Sequence, residues 1–147
     1  MDASLDGSLD GSLKVVALWS VAGTAFDVDA FLAPFPKVRE RAHVWRPDEP
    51  SPFQSRQPAG TSGFNLWVGE GARWKDALAQ TRTKLTELSP LLEALKGLGR
   101  GSEVDFGLSV GTLKGYVRSA EFEPADLAWF AERNIALRVT AYPVAAT

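Results

Sequence analysis

The chain has one histidine, His43, and no cysteine. A serine–histidine–acid triad would have to use His43 as its base, with Asp48 or Asp105 to orient the ring and Ser20 or Ser55 as nucleophile. No G-x-S-x-G turn presents a serine for that role. The lack of cysteine removes disulfides, thiolate metal sites, iron–sulfur clusters and cysteine nucleophiles. A single histidine removes any metal site built from several histidines of one chain. The expectation is no catalytic residue, no metal ligands and no cofactor.

The carboxylates Asp27, Asp29, Asp48, Glu49, Glu121, Glu123 and Asp126 are the remaining groups that acid–base or Mg²⁺ chemistry would need. Asp27 and Asp126 have a simpler role. Each stands where a helix begins, and an anion there meets the positive end of the helix dipole. The run G-L-G-R-G at 97–101 follows a helical pattern rather than opening one, so it reads as a helix stop and not as a phosphate loop.

A binding surface has better residues to draw on. Val38 to Trp45 alternates, which predicts a strand with Arg39, Arg41, His43 and Trp45 on one face. Asn65 and Trp67 alternate with Phe64, Leu66 and Val68 and join that face on a neighbouring strand. Arg56 reaches it from the long loop between. Arginine and tryptophan are the residue types that carry most energy at protein interfaces, through bidentate hydrogen bonds and large buried area. Arg39, Arg41, His43, Trp45, Arg56 and Trp67 are therefore the expected binding residues.

Charge limits the partner. Sixteen Lys and Arg against eighteen Asp and Glu leave a formal charge of −2 over 147 residues. A nucleic-acid binder is expected to be basic, and the aromatic run of an RNA-stacking sheet is missing. Neither nucleic acid nor a membrane is an expected partner, because no apolar run approaches the ~18 residues of a spanning helix. The opening M-D-A-S-L-D-G-S-L-D-G-S-L has neither the basic nor the apolar region of a secretory signal. It reads as a disordered acidic leader over 1–13, ahead of one domain over 14–147.

The elements that must place these residues follow from hydrophobic period. Lys14–Val21 is apolar and β-branched and reads as a buried strand. A short helix follows Asp27 and is cut by Pro34 and Pro36. Arg46–Gly63, rich in proline, reads as a loop. Trp74, Leu78, Thr81, Leu85, Leu88, Leu92 and Leu95 recur at helical spacing, with a restart at Ser89-Pro90. Glu103–Val110 reads as a strand, 111–114 as a turn and 115–122 as a second strand of a hairpin. A helix opens at Pro124, stops at Asn134, and Ala136–Tyr142 is the last strand. This order suits an α+β fold of ferredoxin-like, split β-α-β type. Helices would back one sheet face and leave the other open. A faint echo of 21–44 in 120–139 suggests a duplicated β-α-β unit.

From Lys14 to Tyr142 the chain resembles a bacterial family known as domain of unknown function 4279. The matching features begin with Gly23 after the first strand, Asp27 and Asp29 in a short helix, and a Pro/Gly loop. They continue with a strand ending in Trp67, the leucine helix with Ser89-Pro90, and Phe122-Glu123-Pro124-Ala125-Asp126-Leu127 before a last strand ending in Tyr142. The family's loop often carries a Gly-Asp-Pro-like element; here it reads Arg56-Gln57-Pro58-Ala59-Gly60. The resemblance implies a fold and a bacterial, intracellular setting, and no activity.

The expected function is a non-enzymatic, cytoplasmic protein-binding module holding one protein partner, in its specific form an immunity-like protein that neutralises a toxin. The alternative is a small-molecule or anion-binding domain, an enzyme included, with a cleft under the 46–63 loop. A homodimer through the sheet face is the third reading.

Overall fold

The computed structural model describes residues 14–52, 59–111 and 118–144. Five strands and five helices follow in the order β1 (Val15–Gly23), α1 (Val28–Leu32), α2 (Pro36–Arg41), β2 (His43–Trp45), β3 (Ser62–Gly71), α3 (Trp74–Glu87), α4 (Ser89–Gly97), β4 (Ser102–Gly111), α5 (Pro124–Glu132) and β5 (Ile135–Val144). The strands form one sheet in the order β2-β3-β1-β4-β5. The fold is α+β. Contacts group the chain into two compact units, one of Trp19–Trp67, the other of the residues up to Leu18 with those from Val68 on. The boundary falls within β1 and within β3.

In the second of these units the leucine spacing does what it promised. Trp74, Leu78, Thr81, Leu85, Leu88, Leu92 and Leu95 are all buried. The helix breaks where Pro90 requires it. Ser89 does not cap α4; its hydroxyl donates to Thr86 O at 2.6 Å. Gly99 (φ 65°) and Asn134 (φ 55°) take the left-handed conformation that ends helices α4 and α5. At Gly69 the strand passes so close to α3 that a Cβ would collide with Thr81 Oγ1 and stand 3.0 Å from Ala77 O. Trp74, Phe106, Phe122 and Phe130 interlock edge to face beneath α5, with Trp74–Phe122 at 5.1 Å and Phe106–Phe130 at 6.3 Å.

β4 and β5 pair in parallel over ten consecutive residues, from Ser102↔Ile135 to Gly111↔Val144. The chain between them carries α5, so β4-α5-β5 is a parallel crossover. This corrects the expected hairpin. Residues 118–122 form no strand, and 112–117, with most of the expected turn, lie outside the described residues. The two strands of this β-α-β unit are direct neighbours, so it is not split by an intervening strand. On the sheet face away from Phe106, Tyr142 lies over Gly107, its Cε2 2.9 Å from where a Cβ would be. The ring covers backbone that glycine leaves bare.

In the unit of Trp19–Trp67 the core is aromatic. Trp19 meets Phe64 edge-on at 5.5 Å, and Phe31 stacks on Phe64 at 5.9 Å. Asp27 caps α1 by accepting from Ala30 N at 3.1 Å, as its place in the sequence foretells. The first half of the expected strand Val38–Trp45 is helix. Pro36 opens α2, and only His43–Trp45 is extended. β2 pairs antiparallel with β3, and β3 lies between β2 and β1 in the sheet, which is the strand order of the expected split β-α-β connection.

Candidate functional site

β2 and β3 pair in the register His43↔Asn65, Val44↔Phe64 and Trp45↔Gly63. Residues opposite each other across an antiparallel pair share a face, and alternate residues along a strand do too. His43, Trp45, Asn65 and Trp67 therefore share one face, and Phe64 and Leu66 take the other, into the core. That much of the expected stripe exists. Trp67 is 62% exposed, the highest value shared by any large apolar side chain described, and His43 is exposed beside half-buried Asn65.

Trp45 lies on this face but is only 2% exposed. Its indole rests on Gly63, where a Cβ would stand 2.7 Å from Cζ2. Its Nε1 donates to Thr61 Oγ1 at 3.2 Å, and its ring lies 6.1 Å from that of His43. Trp45 is thus a buried platform and not the contact residue expected of it.

Arg39 and Arg41 leave the stripe because α2 replaces the strand. Arg39 Nη1 reaches Asp29 Oδ1 at 2.8 Å. Arg46 adds Nη2 to Oδ1 at 2.7 Å and Nε to Oδ2 at 3.0 Å, a two-pronged grip on the same carboxylate. The Arg46 bonds, followed by those of Arg39, hold the Asp29 carboxyl below its ordinary value. Asp29 is thereby a tie between α1, α2 and the residue after β2. The tie continues: Glu49 Oε1 accepts from Arg46 N at 2.8 Å, Ala59 N donates to Glu49 O at 2.8 Å, and Gly60 N to Pro47 O at 3.0 Å. The ends of the proline-rich loop are fixed to each other. Arg56, between them, lies outside the described residues. Nothing in the spacing of Asp29, Arg39 and Arg46 announces this cluster, since it depends on α2 being a helix.

A cleft of about 330 Å³ opens in the other unit, lined by Lys75, Leu78, Ala79 and Arg82 of α3 and by Glu121, Glu123, Ala125 and Asp126. The alternative reading placed a cleft under the 46–63 loop; this one is elsewhere. Several of its charges are already engaged. Arg82 Nη1 donates to Asp126 Oδ1 at 2.9 Å, and Asp126 Oδ2 accepts from Glu123 N at 3.1 Å, the reciprocal bond that opens α5. Arg82 and Arg133 both lie over the Trp129 ring, at 5.0 and 3.9 Å from its centroid.

Among the described residues no group of three or more His, Cys, Asp or Glu side chains is placed to hold a metal ion. Among them, too, no helix is long and apolar enough to cross a membrane. No family model, no curated protein and no solved structure matches the chain.

Proposed function

We propose that this protein is a non-enzymatic binding module that holds one protein partner on the β2–β3 face around Trp67. The observation that carries the reading is the exposure of Trp67 within a ten-residue strand, on the face it shares with His43 and Asn65. An indole left in water on a sheet is an unspent hydrophobic contact, and tryptophan is the side chain most enriched at interface hot spots. Asn65 and His43 supply hydrogen bonds beside it, and buried Trp45 makes the platform under His43 stiff. Of the expected surface this keeps His43 and Trp67, with Asn65 beside them; Arg39 and Trp45 are engaged in structural contacts, Arg41 stands on α2 away from the stripe, and Arg56 lies outside the described residues.

On this reading the chain works in the bacterial cytoplasm and groups with family 4279, which it resembles from Lys14 to Tyr142. A toxin-neutralising role is the form that a small, cysteine-free domain with five tryptophans suits best. The test is capture from lysate of the native host by wild type and by Trp67→Ala, with quantitation of what co-elutes. A single stoichiometric protein should be retained by wild type and held about 30-fold more weakly by the variant, as a loss of about 2 kcal/mol requires. A partner held equally well by both would remove Trp67 from the interface and the proposal with it.

A further inference from the structure

We draw no further inference here: the strongest candidate, the cleft of about 330 Å³ between α3 and the segment that opens α5, carries nothing because Arg82 and Asp126 in it are paired with each other, Lys75, Glu121 and Glu123 are exposed, and no second feature among the described residues points to what it would hold.

Discussion

The indole of Trp45 fills the space that a side chain at position 63 would need. A Cβ on Gly63 would stand 2.7 Å from Trp45 Cζ2, 2.9 Å from Ala22 Cβ, and against the carbonyl oxygen of Val21. Two of these neighbours cannot yield, since one is backbone and the other a ring held by its bond to Thr61. The glycine is required here for clearance, with no unusual φ at that position. Gly63→Ala should therefore destabilise by about 1–3 kcal/mol, the range of an overpacked core. Trp45→Ala should cost about 3–5 kcal/mol by leaving a cavity. Trp67→Ala, on the same face but in solvent, should stay within about 0.5 kcal/mol of wild type. Denaturant unfolding of the three variants checks this order. A Trp67→Ala loss as large as that of Trp45→Ala would show that Trp67 is packed rather than presented.

Acid should loosen the cluster of Asp29, Arg39 and Arg46. Hydrogen bonds from Arg46 and then Arg39 hold the folded-state Asp29 carboxyl below its value of 3.8 in an unfolded chain. The unfolded state then binds a proton more readily than the folded state, and stability from this group rises with pH. Its contribution is complete above the unfolded value and disappears as pH falls through the lower, folded one. Wild type should be more stable than Asp29→Asn at pH 6, with the difference shrinking below about pH 4. Both partners are partly exposed, so added salt should narrow the difference at pH 6 as well. Thermal melts of the two proteins from pH 2 to 6 read this directly, and a difference that stays constant across that range would contradict it.

The sequence was most legible where one strong period met clear punctuation. The spacing from Trp74 to Leu95 has one reading, a helix with a buried stripe, and Pro90 could only stand in its first turn. Glu103–Val110 and Ala136–Tyr142 alternate between apolar and polar faces and are strands. Val38–Trp45 misled because its alternation sorted charge poorly. Arg39, Glu40 and Arg41 put polar groups on both sides, which a half-buried strand does not need, and Lys, Arg and Glu are good helix formers. Pro36 at the first helical position was the available signal. His43, Asn65 and Trp67 were placed correctly because two short alternating segments remained extended there. The burial of Trp45 was hidden because it depends on Gly63, eighteen residues away, and on a loop with no periodicity.

Arg118 shows what replaces the expected second strand of the hairpin. Its guanidinium donates to Ser109 O and to Ala72 O, each at 2.6 Å, and to Lys14 O at 3.3 Å. Three carbonyls from three separate segments meet on one planar fork, two of them with the same Nη1. Position 118 is thus held through its side chain where a ladder of backbone bonds was expected. Charge-assisted bonds of this kind contribute about 1.5–3 kcal/mol to stability, and losing the donor leaves its acceptors to water. Arg118→Ala should lower stability by that order. Arg118→Lys should recover less than half of it, because an ammonium is a point donor that cannot span carbonyls set out for a fork. Unfolding of both variants tests the geometry. Full recovery by lysine would mean that only the charge at position 118 matters, and the three-way bridge would then be incidental to the fold.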